Sequence, residues 1–297
     1  MCKFYYSVFS FIIFISSKGQ QLSIKSRVFD SDTKICIPYV SVHISNTMKF
    51  RDTDEKGFFQ IMGNSSDTLI ISCIGYESSK LPVSKIGLND SCFLIKKIIT
   101  LNEIISSKPL SKVFGILNER QGRSCSGGSE AERTEIATLI EIPDSIKLYK
   151  ISKIFIKGRN FKEANPVRLH IYGIGNNGLP GTELLIKEII IKNNEDDNKT
   201  ISIDVKDQGI FLEQSSFFVG IQWITSTKVK LFTGPEIFET FKVKKLLTYR
   251  RSLSLNNNQW YGWFKKSLIS YPDGIIPTDD DPPINVLTSA EIEIFGQ

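Results

Sequence analysis

Apolar and polar residues alternate through most of the chain with a period of two, which is the pattern of β-strands that bury one face. Val40, Val42 and Ile44, for example, alternate with serine and histidine. Turn-forming residues at 54–57 and 63–66 separate further apolar runs, because glycine accepts positive φ and aspartate can bond its own backbone. Extended helical periodicity is hard to find after the first residues. The pattern predicts an all-β chain.

Nine candidate strands follow in the C-terminal half of the chain. They lie at 151–156, 167–172, 184–191, 200–205, 217–223, 228–232, 241–247, 260–264 and 291–295. No helix long enough to cross over between parallel strands interrupts them. This spacing predicts an antiparallel sandwich or jelly roll.

The N-terminal residues predict a secretory signal peptide at 1–19. Lys3 precedes an apolar run at 4–15, and the small residues Ser17 and Gly19 precede Gln20. This run is too short to span a bilayer but has the length of a signal core. A buried N-terminal strand is the alternative. After signal removal we expect no transmembrane segment.

Composition along the rest of the chain predicts two domains and a linker. The first domain is expected at 20–105 and the second at 136–297. Between them, at 106–135, the apolar period fades and residues 122–129 are mostly glycine and serine. Such residues are typical of loops.

The first predicted domain resembles the carboxypeptidase-like regulatory domain of Bacteroidetes type, a transthyretin-like β-sandwich. The resemblance rests on the runs 27–30, 37–42, 53–59 and 67–76. It implies an exported or outer-membrane protein and a domain without catalytic residues. In the second domain, 167–172, 178–185 and 217–223 resemble the strand, G-x-P-G turn and strand of jelly-roll modules in secreted bacterial proteins. The expected fold is therefore all-β, with a transthyretin-like sandwich followed by a jelly-roll-like sandwich.

Charge gives little support for a nucleic-acid partner. The formal net charge of +5 falls by two when Lys3 and Lys18 leave with the signal peptide. Basic residues cluster at 242–251, but Glu236 and Glu239 lie close by. The cluster is interpreted as a solvated strand face.

Four cysteines remain after signal removal: Cys36, Cys73, Cys92 and Cys125. Export would permit disulfides, but the sequence leaves their pairing open. Cys36 and Cys73 share the parity of neighbouring apolar residues, so both are expected in the first core.

No catalytic or cofactor motif is found in the sequence. The two histidines, His43 and His170, lie on the polar side of alternating strands and have no partners at metal-ligand spacing. Both are expected to be exposed, and neither a metal nor a cofactor is predicted. Acidic residues of the second domain could still form a glycosidase pair, which leaves a carbohydrate-active hydrolase as an alternative.

The aromatic run at 260–264 is the most suggestive segment for binding. Flat rings stack on sugars while nearby amides bond hydroxyl groups. Trp260, Tyr261, Trp263 and Asn258 are therefore the predicted ligand-binding residues. The alternative is that one face of this strand belongs to the core.

The sequence thus predicts an exported, non-enzymatic cell-envelope or surface protein that binds a glycan or an envelope protein through its C-terminal sandwich. The expected location is the periplasm, the outer-membrane surface or the extracellular space. Besides the hydrolase, a purely architectural envelope component is an alternative.

Overall fold

The computed structural model describes residues 21–47, 49–86, 91–98, 109–115, 123–126, 134–159, 166–191, 200–224, 236–240, 248–252, 261–262, 285–286 and 288–295. These residues form β-strands, loops and two single turns of 3₁₀ helix, at Val83–Lys85 and Lys206–Gln208. The all-β prediction is confirmed. Within these ranges no helix has the length and apolar character needed to cross a membrane.

In the part of the chain that the structure describes, seven strands build the first sandwich. They are β1 (Leu22–Asp30), β2 (Ser41–Ile44), β3 (Phe50–Asp52), β4 (Phe58–Gly63), β5 (Thr68–Ser72), β6 (Ser79–Pro82) and β7 (Ser91–Leu94). One sheet has the order β4-β1-β7 and the other has the order β3-β2-β5-β6. Between the two sheets lies a core of alternate residues, including Val28, Val42, Phe59 and Leu69.

The turn before β4 forms as its sequence predicts. The carboxylate of Asp54 accepts hydrogen bonds from the backbone N–H groups of Lys56 and Phe58, each at 2.9 Å. Gly57 has a φ of 70°, and a Cβ there would lie 2.8 Å from the carbonyl oxygen of Val28. Only glycine fits this position without a backbone shift.

Among the described residues, fifteen strands build the second sandwich. They are β8 (Leu110–Gly115), β9 (Arg123–Ser126), β10 (Thr134–Glu141), β11 (Leu148–Arg159), β12 (Val167–Ile174), β13 (Pro180–Glu183), β14 (Ile189–Ile191), β15 (Thr200–Asp204), β16 (Phe211–Leu212), β17 (Ser216–Trp223), β18 (Glu236–Thr240), β19 (Thr248–Ser252), β20 (Tyr261–Gly262), β21 (Asn285–Val286) and β22 (Thr288–Phe295). The first sheet has the order β13-β12-β17-β10-β19-β20, with β14 also paired to β12. The second has the order β21-β18-β11-β22-β8, with β15 and β16 on β11 and β9 on β18.

Strands β8 and β9 lie inside the segment that the sequence predicts as a linker. β8 pairs with β22, and β9 pairs with β18. The segment therefore contributes strands to the second sandwich. Its weak apolar period fits this position, because five of the six residues of β8 are exposed.

The structure describes the side chains of three cysteines: Cys36 and Cys73 are free thiols, and Cys92 Sγ lies 3.3 Å from Ser26 Oγ. Cys92 is buried in the first core, whereas Cys36 and Cys73 are only half-buried. The expectation that Cys36 and Cys73 both lie inside that core is therefore only partly met. The side chain of Cys125 lies outside the described residues.

The two sandwiches contact each other through sheet faces. Polar residues on the outer side of β2 face the sheet that contains β12, and both line one cleft. Ile74, in the loop after β5, packs against the core of the second sandwich. The outer face of β12 is consequently covered, and this position determines the candidate site.

Candidate functional site

The candidate site begins with the alternate residues of β12. Val167, Leu169 and Ile171 face the core of the second sandwich. The intervening positions Arg168 and His170 point to the other side of the sheet, and there they are only 3% and 7% exposed. A polar row that would face water on an isolated sandwich is therefore buried in the two-domain protein.

Within its own sandwich, Arg168 contacts two side chains. Its Nε donates to Glu188 Oε1 at 2.6 Å, and its Nη1 donates to Gln222 Oε1 at 2.5 Å. Burial raises the pKa of Glu188 despite the attraction of the guanidinium. For Arg168, burial also disfavours the charged form, but the nearby Glu188 and Asp52 outweigh burial and raise the pKa of the guanidinium. The arginine is thus a buried cation held by carboxylates.

The same guanidinium also reaches the first sandwich. Nη2 donates to the backbone carbonyl of Tyr39, and Nη1 donates to Ser41 Oγ at 3.3 Å. Asp52 Oδ1 lies 3.6 Å from Nη2 and accepts a hydrogen bond from Ser41 at 3.0 Å. Arg168 therefore connects the domains through charge and hydrogen bonds together.

His170 lies beside this arginine in a second polar group. Its Nδ1 is 2.5 Å from Glu183 Oε2, and its Nε2 is 3.0 Å from Gln222 Oε1. The ring stacks on Tyr172 with centroids 5.3 Å apart, and the Tyr172 hydroxyl donates to Glu135 Oε1 at 2.7 Å. Burial alone would lower the pKa of His170, but the carboxylates of Glu135 and Glu183 raise it above its ordinary value.

The loop after β5 completes the contact between the sandwiches. Gly75 has a φ of 85°, and a Cβ there would lie 2.5 Å from the carbonyl oxygen of Ile186. Nearby, the thiol of Cys73 lies close to Glu188, and burial together with that carboxylate raises the pKa of the thiol. Glycine at position 75 lets the two backbones approach this closely.

A cleft of about 1230 Å³ lies beside these contacts, between the two sandwiches. Its walls mix hydroxyl, amide, imidazole and carboxylate groups with apolar and aromatic surface. The first sandwich contributes Ser41, His43, Ser45, Asn46, Thr47, Phe50, Ile70, Ser72, Cys73, Ile74, Gly75, Tyr76, Lys97 and Ile98, and the second contributes Arg168, His170, Tyr172, Gly181, Glu183, Leu184, Leu185, Ile186 and Gln222. The arrangement can accept a polar ligand that also has apolar faces.

The structure corrects the sequence-based prediction for one histidine. His170 was predicted to be exposed, yet it is buried because the first sandwich covers the outer face of β12. His43 is half-buried on the opposite wall of the cleft. In the described part of the chain, no group of three or more histidine, cysteine, aspartate or glutamate side chains is placed to hold a metal ion.

The aromatic run contributes little to the described structure. Trp260, Trp263 and Asn258 lie outside the described residues. Tyr261 is described only through its backbone, which pairs with Arg250 at the edge of the sheet that contains β12. The ligand-binding role of these four residues stays a prediction.

Sequence reasoning missed Arg168, Gln222 and Glu183 as site residues. Arg168 and Gln222 are direct partners on β12 and β17, and each interrupts a strand that is otherwise mostly apolar. A charged or amide side chain in such a strand is the signal that could have found them, because buried polar groups need partners.

Comparison with known proteins finds a family similarity for the first sandwich. Residues 24–105 match the family model described as CarboxypepD_reg-like domain. No curated protein matches the chain significantly. This family match covers the seven strands of the first sandwich and does not extend into the second.

Comparison with solved structures gives only distant similarities. The cysteine protease and lectin-like domains of Cwp84, a surface layer associated protein of Clostridium difficile, are 10% identical with a TM-score of 0.38, and the match covers 83% of this chain but 45% of that chain. Clostridial Cwp84 after propeptide cleavage is 10% identical with a TM-score of 0.41, covering 92% and 70%. BcpA, the major pilin subunit of Bacillus cereus, is 11% identical with a TM-score of 0.18, covering 82% and 66%. These TM-scores are too low to indicate a shared fold.

The family match confirms the resemblance of the first domain. The bacterial group and the jelly-roll character of the second sandwich stay predictions. Domains of this family are regulatory and non-catalytic. Residues 24–105 are therefore similar to a CarboxypepD_reg-like domain, and they pack against a second β-sandwich.

Proposed function

We propose that this chain is an exported, non-enzymatic surface or cell-envelope protein that binds a glycan through its C-terminal sandwich. The cleft between the sandwiches is the observation that supports this proposal. The second sandwich supplies one wall of the cleft, and the regulatory-like domain supplies the other. Export is supported by the apolar run at 4–15 and the small residues before Gln20.

The chemistry of the walls favours a ligand rich in hydroxyl groups. On the wall of the second sandwich, Glu183 offers a carboxylate, and Tyr172 and Leu184 offer apolar surface. On the facing wall, Ser45 and Asn46 offer hydroxyl and amide groups. Sugars present both kinds of surface, since their ring faces carry C–H groups and their edges carry hydroxyls. Ligand pockets commonly have volumes of about 300 to 1000 Å³. A cleft of about 1230 Å³ has room for several sugar units.

A second surface for the same function is the aromatic run around Tyr261. Strand β20 lies at one edge of the sheet, and strands β13, β12 and β17 at the opposite end of the same sheet form the cleft wall. The side chains predicted to bind there are Trp260, Tyr261, Trp263 and Asn258. The cleft and the run therefore make separate, testable predictions for one binding function.

A glycan array with the chain from Gln20 onward tests the proposal. Ser45→Trp should fill the cleft and abolish binding, because Ser45 is half-buried on its wall. Gln60→Trp is the matched control, since Gln60 is exposed on β4 and does not line the cleft. If Trp263→Ala loses binding and Ser45→Trp keeps it, the binding site is the aromatic run and not the cleft. If the array shows no bound glycan, and the wild type captures an envelope protein that Ser45→Trp does not, then the ligand is a protein and the glycan proposal is wrong.

A further inference from the structure

The orientation of the Gln222 amide is determined by its neighbours. A guanidinium has only donors, so Gln222 must turn its Oε1 toward Arg168 Nη1, at 2.5 Å. The same oxygen lies 3.0 Å from His170 Nε2. A ring nitrogen at this distance from an acceptor must carry a proton to form a hydrogen bond. His170 Nε2 is therefore a donor.

The other ring nitrogen of His170 faces a carboxylate. Nδ1 lies 2.5 Å from Glu183 Oε2. Backbone N–H groups of Ile171 and Leu185 donate to Glu183 Oε1 at 3.0 and 3.2 Å, and a carboxylate oxygen accepts hydrogen bonds. Nδ1 is therefore a donor as well. With both nitrogens protonated, His170 is an imidazolium cation.

The charged groups around His170 favour this state. Glu183 faces the ring from β13, and Glu135 from β10, while Glu188 acts from the segment between β13 and β14. Arg168 on the same strand opposes the positive charge, and His43 lines the same cleft from β2. Glu135 and Glu183 both attract a positive charge on the ring, against the one arginine, so a second cation improves the charge balance of the buried group.

Loss of the His170 proton would affect the contact between the sandwiches. A neutral His170 that kept its Nδ1 proton would point the lone pair of Nε2 at Gln222 Oε1. Rotating the Gln222 amide would relieve that repulsion but would turn an N–H group toward the Arg168 guanidinium. The Gln222 Nε2 atom already lacks a hydrogen-bond partner among the described residues, and rotation would place an acceptor in that position instead.

We propose that the proton on His170 is an interdomain latch, acting through Gln222 on the Arg168 contacts with Tyr39, Ser41 and Asp52. Protonated, His170 fixes Gln222 and thereby Arg168. Deprotonated, it weakens the hold of Arg168 on the first sandwich, so the two sandwiches separate more easily at alkaline pH. The latch does not depend on a ligand in the cleft and stands apart from the glycan-binding proposal.

Nitrogen-15 NMR of the histidine rings tests the protonation directly. The chain has only two histidines, and His43→Gln assigns their signals. At about pH 7.5, roughly one unit above the ordinary pKa of histidine, both ring nitrogens of His170 should have the chemical shifts of protonated nitrogens. A neutral His170 at that pH overturns the proposal.

Amide hydrogen exchange of the full chain tests the coupling to docking. In the wild type, exchange at the interface amides of 39–44 and 186–188 should accelerate at least several-fold beyond the intrinsic pH dependence as His170 loses its proton. His170→Gln should remove this additional pH dependence, and His43→Gln should retain it. If interface protection follows only intrinsic exchange while the NMR signals show His170 losing its proton, then the proton is not a latch. Should His170→Gln fail to fold, the wild-type titration still decides between these outcomes.

Discussion

Two strands of the second sandwich have similar alternation but opposite surroundings. In β22, Glu291 and Glu293 alternate with core isoleucines and form ion pairs near solvent, with Lys153 and Lys206 respectively, each at 3.3 Å. In β12, Arg168 alternates with core residues in the same way, yet its side chain is 4% exposed and faces an Asp52 side chain that is fully buried. The first sandwich covers one strand and leaves the other open.

The difference shows that a polar row on a strand has no fixed energetic role. Near solvent, water screens the pairs of β22, and such pairs contribute little to stability. Beneath the first sandwich, each charge has lost its hydration and depends on its protein partners. Breaking a buried pair should therefore cost far more than breaking an exposed pair of the same chemistry.

Truncation of Arg168 should give the largest effect. Arg168→Ala leaves Asp52 and Glu188 buried without their cation and should lower the free energy of unfolding by about 3 to 5 kcal/mol. Lys153→Ala, which breaks the pair with Glu291, should cost no more than about 1 kcal/mol. Urea denaturation of both variants measures the contrast. Equal losses would mean that the two strands do not differ as described.

A methyl group at the domain contact should have the next largest effect. Gly75→Ala and Gly178→Ala both place alanine at positive φ, at 85° and 75°. Only at Gly75 does the new Cβ meet a neighbour, the Ile186 carbonyl, whereas nothing lies within 4 Å at Gly178. Overpacking should cost Gly75→Ala about 1 to 3 kcal/mol beyond the control. Thermal unfolding compares the two variants, and matching melting temperatures would contradict the close approach.

Two tyrosine hydroxyls provide a comparison without loss of charge. Tyr172 donates to the carboxylate of Glu135 on the covered face, whereas Tyr149 donates to the backbone carbonyl of Gln214 at 2.9 Å. Hydrogen bonds to charged groups contribute about 1.5 to 3 kcal/mol, and neutral ones about 0.5 to 1.5 kcal/mol. Tyr172→Phe should therefore destabilise more than Tyr149→Phe in urea denaturation. The reverse order would argue against an ionised Glu135.

The smallest effect is expected at acidic pH on the open strand. Burial alone would raise the pKa of Glu291, but hydrogen bonds from Ser111 and Lys153 lower it. Its stabilisation is therefore present above the unfolded pKa, near 4.3, and is lost as pH falls through the lower folded pKa. Glu291→Gln should make the free energy of unfolding fall slightly less between about pH 5 and pH 3 than it does in the wild type. The difference should be less than about 1 kcal/mol, and urea denaturation at several pH values measures it. For Glu188 the raised pKa predicts the opposite sign, so Glu188→Gln should not flatten this acidic limb.

Local patterns explain why much of the fold could be predicted. The alternation around Val42 and the turn at Gly57 depend on neighbouring residues, and both form as expected. The burial of His170 depends on strand β2, which lies more than a hundred positions away in sequence. Strand alternation gives the side of the sheet on which a residue lies but not what covers that side. The domain contact was therefore beyond sequence reasoning, although the polar residues Arg168 and Gln222 stand out in their apolar strands. The aromatic run at 260–264 stays a prediction.

A double-mutant cycle between Asp52 and Arg168 tests the central claim, that charge contacts on the outer face of β12 hold the two sandwiches together. Free energies of unfolding are measured for the wild type, Asp52→Asn, Arg168→Met and the double variant. With the side chains 3.6 Å apart and buried, the coupling energy should be at least about 1 kcal/mol, within the range found for contacting residues. A coupling energy near zero would show that the first sandwich does not dock on β12 and would contradict the interface.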